Sequence, residues 1–204
     1  MAAGCASRQL ARTVGAGRSE FGVLVGGPLQ SSLGGFAAPI PEHRVHARVG
    51  LTDDLDLSGS VPLAPLTSAV LALDVGLVGQ LVRLPDFALA LSARLHVALR
   101  LDDGFGDDVF PELGLHFEQR LDPRLALIFG ASALAQASQP SERPSAFFAP
   151  YLGAEVRLGE HALSLALGWI NPWDRARTVV TWEPAGAGAI TITFGWRIQP
   201  GGVR

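Results

Sequence analysis

Residues 87–101, FALALSARLHVALRL, place Phe87, Leu89, Leu91, Ala93, Leu95, Val97, Leu99 and Leu101 on one side of an extended chain. The other side carries Ala88, Ala90, Ser92, Arg94, His96, Ala98 and Arg100. Successive side chains of a strand point to opposite faces, so this stretch reads as a strand with one hydrocarbon face and one mixed polar face. The same alternation recurs along nearly the whole chain. It predicts strands over 19–26, 43–51, 55–61, 69–83, 87–101, 109–121, 124–136, 146–158, 161–170 and 187–198. No segment shows helical spacing over a convincing length.

The connections carry a second pattern. TDD (52–54), LPD (84–86), DP (122–123) and GE (159–160) are short and rich in turn-forming residues. Segments 27–42, 62–68, 102–108, 137–145 and 171–186 are longer and rich in Gly, Pro, Ser and Asp. Short and long connections alternate strictly. In an up-and-down antiparallel meander, all short turns then fall at one end and all long loops at the other.

The strands also agree in chemistry. In 109–121 Leu113, Leu115, Phe117 and Leu121 oppose Glu112, His116, Glu118 and Arg120. In the last strand Ile190, Ile192, Phe194, Trp196 and Ile198 oppose Thr191, Thr193 and Arg197. Outward-facing Phe21, Phe87 and Trp196 belong near the short-turn end, and Phe148 and Trp169 near the long-loop end. Two aromatic bands are what the two interfaces of a bilayer select.

Over 19–198 these strands, turns and bands resemble the small outer-membrane β-barrel proteins of bacteria: all-β, antiparallel, up-and-down, with about ten transmembrane strands. The resemblance implies a location in the bacterial outer membrane, a lipid bilayer around the barrel and insertion by the outer-membrane assembly machinery. Residues 1–18 then form an N-terminal tail and 199–204 a C-terminal one. In the tail, the AAGC that ends at Cys5 is similar to the lipobox of outer-membrane lipoproteins. It lacks the charged and apolar regions of an export signal upstream, so Cys5 is either a lipidation site or a free thiol. A soluble lipocalin-type barrel has the same alternation with the apolar face turned inward around a ligand, and it stands as the competing architecture.

Composition narrows the function. The 204-residue chain is 48% hydrophobic and only 17% charged, with 24 glycines, and its formal charge of −3 offers no basic stripe for nucleic acid. No apolar run approaches the roughly 18 residues of a transmembrane helix. A single cysteine excludes an internal disulfide framework. GAGRSE (15–20) has Glu20 where a dinucleotide fingerprint needs glycine, and no G-x-S-x-G, HExxH or CxxC motif occurs.

Two constellations remain. Asp102, Asp103, Asp107 and Asp108 in DDGFGDD offer oxygen ligands for Ca²⁺ but do not match EF-hand spacing, so a solvated loop is the plainer reading. The second follows from register. A three-residue turn at 84–86 sets Asp74 opposite His96. A symmetrical next hairpin sets His96 opposite His116, Arg94 opposite Glu118 and Arg100 opposite Glu112. That row is a polar network filling the lumen, with metal binding or proton transfer as the sharper alternative. No cofactor is implied. About ten strands leave a lumen that Arg48, Arg94, Arg100, Arg120, Arg157, Arg197, Glu112, Glu118 and Glu155 would occlude, unlike water-filled porins of about 16–18 strands. The chain therefore reads as a non-enzymatic barrel: membrane anchor, loop-presenting binder or narrow conduit. An outer-membrane enzyme acting on lipid or peptide is the alternative, for which no nucleophile and base converge in the pattern.

Overall fold

The computed structural model describes residues 11–31, 37–39, 42–63, 70–100, 108–135, 146–170 and 189–201. In chain order the strands are β1 (Ser19–Ser31), β2 (Ala37–Pro39), β3 (Glu42–Gly50), β4 (Leu55–Pro62), β5 (Val70–Arg83), β6 (Phe87–Arg100), β7 (Asp108–Arg120), β8 (Leu125–Ala135), β9 (Ala146–Leu158), β10 (His161–Ile170) and β11 (Ala189–Ile198). Apart from the short β2, successive strands pair antiparallel, β3 with β1 and each later strand with the one before it, β11 returns to pair with β1, and the ten long strands close into a barrel. The short β2 lies outside that ring and pairs only with Leu29–Ser31 at the far end of β1.

Strand positions follow the alternation closely, with two differences in 27–42, which the sequence pattern reads as a connection: β1 extends into it and β2 lies within it. β1 runs on to Ser31, where the sequence pattern ends at residue 26. Gly26, Gly27 and Pro28 break the hydrophobic pattern, yet they stay paired with Thr193, Ile192 and Thr191 of β11, respectively. Closure holds the strand where local propensity does not.

The faces decide between the two barrel architectures. Leu73, Val75, Leu77, Leu91, Leu95, Leu113, Leu152, Leu163, Leu165, Leu167 and Phe194 all point outward and are exposed. Glu20, Arg48, Asp56, Asp74, Arg94, Glu112, His116, Glu118, Glu155 and Arg197 point inward and are buried. A water-soluble barrel cannot expose that much hydrocarbon while burying that much charge, so the inward-apolar alternative is excluded. The outer surface is a lipid-facing one.

Phe21 and Trp196 lie on the outside near the short-turn end, Phe87 opens β6 at the same end, and Phe148 and Trp169 lie toward the long loops. Trp196 stacks on His161 with ring centroids 5.9 Å apart. Phe87, Phe117 and Phe129 form a ladder across β6, β7 and β8, the last two stacked at 4.9 Å. Such pairs across neighbouring strands stabilise the sheet as well as the interface.

Leu95, on the lipid face of β6, tests this orientation. Leu95→Arg is expected to cost about 2–4 kcal/mol of folding free energy in vesicles if it sits at mid-bilayer. Thr193→Arg, on the lumen side beside open space, is expected to cost less. Urea titration of both variants in lipid vesicles measures the difference, and equal costs would contradict a lipid-facing Leu95.

Candidate functional site

The lumen near the short-turn end is crossed by a belt of alternating charge. Arg48 of β3 binds Asp56 of β4 at 2.5 Å and lies 3.6 Å from Glu20 of β1. Arg197 of β11 joins Glu20 to Glu155 of β9, the second contact at 2.7 Å. Arg157 then links Glu155 at 2.9 Å to Glu118 of β7 at 2.6 Å. The strands between supply alanine: Ala126 pairs with Glu155, Ala162 with both Arg157 and Arg197, and Ala88 with Glu118. Alternating large and small residues from strand to strand lets long side chains cross a narrow barrel without clashing.

The belt is completed by a segment that is not a strand. The turn at Gly15 and Gly17 has φ of +89° and +68°, values that glycine adopts without strain. It docks on Gly50, where any Cβ would collide with the Gly15 carbonyl. The turn carries residues 11–14 into the mouth. The Thr13 amide donates to Gln80 Oε1 at 3.1 Å and its hydroxyl to the Asp53 carbonyl at 2.6 Å. The Val14 amide donates to Asp56 Oδ2 at 3.0 Å, and Gln199 donates to the Val14 carbonyl at 3.3 Å. Ala11 is fully buried against Val78, Ala88 and Ala90. Arg12 spans the opening. Its carbonyl accepts from Arg48 at 2.9 Å, its Nε donates to Glu118 at 2.7 Å, and its Nη2 donates to the carbonyls of Leu84 and Pro85 at 3.0 Å. Residues 11–15 therefore pack against the barrel's interior at this end.

A second polar cluster lies toward the long loops. Asp74 accepts from Arg44 at 3.1 Å and also from Arg94 and Ser60. Arg94 donates its other arm to Ser58 at 2.7 Å. His96 lies 3.9 Å from Asp74 and shares a 2.5 Å hydrogen bond with Glu112. Asp74 faces His96 across the β5–β6 ladder, a pairing reached through a one-residue shift between Gln80 and Val82, since beside the turn Arg83 pairs with Ala88 and Val82 with Leu89.

The register of the next hairpin differs from the sequence expectation. His96 pairs with Phe110, Arg94 with Glu112, Ala90 with His116 and Ala88 with Glu118. The ladder is displaced by six residues from a symmetrical closure. An even displacement keeps every side chain on its face, so alternation alone cannot detect it. His116 therefore does not meet His96, and Arg94 does not meet Glu118. Glu112 faces Arg94 and not Arg100, whose side chain lies outside the described residues. Asp108 opens β7 and so is a strand residue, with a side chain outside the description, as Cys5, Asp102, Asp103 and Asp107 are altogether.

His116 is held by Ser92 and Tyr151 instead, each 2.8 Å from one ring nitrogen. Gly114 makes room for it, since a Cβ there would lie 2.5 Å from both His116 Nε2 and Ser92 Oγ. Ser, His and Tyr in line have the connectivity of a nucleophile, base and orienting group. All three are buried, however, and none of them lines the cavity described next. They serve as a packed polar strut. Among the described residues no three His, Cys, Asp or Glu side chains are grouped to hold a metal ion.

Opposite this strut the lumen is open. A cavity of about 40 Å³ lies above the belt, floored by Glu20, His46, Arg48, Glu155 and Arg197. Leu24, Ile128, Ser164, Ala166, Thr193 and Gly195 wall it. The belt residues Glu20 and Asp56, the mouth segment at Arg12, and Arg44 escape a reading of the strands alone. Glu20 and Asp56 sit at strand ends beside turns, where acidic residues are ordinary.

No protein-family model matches the chain, and no curated protein sequence matches it. Solved structures do. An outer membrane channel from Pseudomonas putida F1 superposes with a TM-score of 0.56 at 10% identity, covering 95% of this chain and 99% of that one. The NanC porin superposes with a TM-score of 0.50 at 9% identity, covering 89% and 98%. The shared property is the fold, that of bacterial outer-membrane barrels.

A double-mutant cycle checks the register and the pairing together. Asp74→Asn alone is expected to lower stability by about 3–5 kcal/mol, because Arg44 and Arg94 lose a buried partner. Combining it with Arg94→Met is expected to recover part of that loss. Arg94→Met with Glu118→Gln is expected to be additive, and coupling in this second cycle would contradict the register.

Proposed function

We propose that this outer-membrane barrel is non-enzymatic and shut at its periplasmic mouth, a membrane-anchored vestibule open toward the long loops. Short turns face the periplasm in outer-membrane barrels, which puts the belt and residues 11–16 on that side. The observation that carries the reading is Arg12, which ties Arg48 on one wall to Glu118 on the other. With ten strands the lumen is narrow, and a charge belt plus a seated peptide leaves no wide aqueous path. Passage through such a barrel requires residues 11–16 to move. The buried Ser92–His116–Tyr151 strut supports packing over hydrolysis, since it lines neither the cavity nor the mouth.

Reconstitution in planar bilayers tests the seal. The unaltered chain is expected to show no sustained conductance. Arg12→Ala, which removes the Glu118 contact and the bonds to Leu84 and Pro85, is expected to give brief openings. A steady open pore in the unaltered protein would overturn the reading. So would hydrolysis of lipid or peptide that His116→Gln abolishes.

A further inference from the structure

The charged wall groups that hold residues 11–14 keep other partners of their own. Asp56 Oδ2 accepts from the Val14 amide at 3.0 Å and from Arg48 at 2.5 Å. Glu118 Oε1 accepts from Arg12 at 2.7 Å and from Arg157 at 2.6 Å. Arg120 Nε stands 3.5 Å from that same oxygen, and neither its Nε nor its Nη2 has a hydrogen-bond partner. The uncharged groups behave alike. Gln80 Oε1 accepts from the Thr13 amide at 3.1 Å and from Arg83 Nη2 at 2.9 Å. The Asp53 carbonyl accepts from the Thr13 hydroxyl and from Arg83. Gln199 gives up its bond to the Val14 carbonyl, but it is a neutral amide just beyond β11. The carbonyls of Leu84 and Pro85 lie in an exposed turn, where water replaces a guanidinium. Removing one partner of a buried ion pair is costly when the other charge is left alone. Here the departure of Arg12 leaves Glu118 with Arg157 and opens its oxygen to Arg120. The mouth is built so that it can be emptied.

We propose that this mouth is a docking site for a segment of another protein, an extended peptide that displaces residues 11–14 and takes over their bonds. The order it accepts is a small residue, arginine, serine or threonine, then an aliphatic residue. Each position has its reason in the wall. Ala11 lies fully buried against Val78, Ala88 and Ala90, which leaves room for a small side chain only. Glu118, Leu84 and Pro85 surround the second position with acceptors, which a guanidinium with its several donors satisfies. Gln80 and Asp56 accept from the backbone amides of the third and fourth residues, and the Asp53 carbonyl accepts a hydroxyl at the third. Val14, 2% exposed, marks the fourth as apolar. The chain's own segment is a tethered competitor, held near its seat by the turn at Gly15 and Gly17. A short tether corresponds to an effective concentration of about the millimolar range, which a partner must match. That the partner comes from the periplasm rests on the sealed-mouth reading. The docking itself does not, because binding is read whether or not the barrel conducts.

Fluorescence polarisation tests the site, with the full-length chain in detergent and a labelled Ala-Arg-Thr-Val-Gly peptide blocked at both ends. A chain carrying Ala11→Gly, Arg12→Gly, Thr13→Gly and Val14→Gly together is expected to bind this peptide. It is expected to bind the counterpart with alanine for arginine at least tenfold more weakly. The unaltered chain, whose own segment competes, is expected to bind the peptide at least tenfold more weakly than the glycine chain. A second measurement needs no variant. Deuterium exchange of the Thr13 and Val14 amides in the unaltered chain is expected to quicken as peptide is added, in proportion to the emptied mouth it captures. The alanine counterpart is expected to leave that exchange unchanged. Failure of the folded glycine chain to bind, or equal binding of the two peptides, would overturn the proposal. So would equal binding by the two chains, or exchange that stays constant up to millimolar peptide.

Discussion

Backbone N–H and C=O groups in hydrocarbon have no water to turn to, so the ladder between β1 and β11 is the contact on which the rest of the molecule depends. It removes the last open edge of the sheet. Closure at ten strands then leaves a lumen that side chains can largely fill. Everything inside must fill that bore. Glycine and alanine lie beside arginine, histidine and tyrosine for this reason. Gly76 pairs with Arg94, and a Cβ on Gly76 would strike the Arg94 side chain. Gly130 pairs with both His116 and Tyr151, and the Tyr151 ring occupies the space it vacates.

Filling the bore with charge follows from the outer face. Hydrocarbon outside and strict alternation leave the lumen as the place for the chain's ionisable strand residues. In a low-dielectric interior each charge needs an opposite partner and satisfied hydrogen bonds. The belt supplies the opposite partners by alternation, Asp56, Arg48, Glu20, Arg197, Glu155, Arg157, Glu118, while Arg48 Nε and Nη1, Glu20 Oε1 and Glu118 Oε2 keep no hydrogen-bond partner. Its partners are far apart in the chain, Arg197 and Glu20 by 177 positions, so the belt exists only once the barrel has closed. Arg12 extends it across the opening. The same contacts that neutralise Glu118 thereby help to fix residues 11–14 in the mouth.

The two polar clusters divide the lumen unevenly. Along β4 to β7 and at Tyr151, the serines, arginines, histidines and Asp74 pack solidly. Along β1 and β9 to β11, Gly195, Ser164, Ala166 and Thr193 are small, and the cavity opens there.

By itself the sequence determined the strand count, the antiparallel order, which residue faces lipid and which end carries the short turns. Those are local properties: a period of two, and turn residues such as Pro85 and Asp86 at fixed intervals. Its reading of a three-residue turn also lands on the Asp74–His96 pair, although the ladder reaches that pair through a one-residue shift between Gln80 and Val82 that alternation does not reveal. Only the tertiary structure decided that His116 joins Ser92 and Tyr151, that Arg94 joins Asp74, and that Arg12 closes the belt. A long connection leaves register open to any even shift, and every such shift preserves the alternation that the sequence displays. The seat of residues 11–16 has no period to betray it. It rests on hydrogen bonds to Gln80, Asp56 and Gln199, three strands' worth of groups that come together only when the sheet curls shut and β11 finds β1.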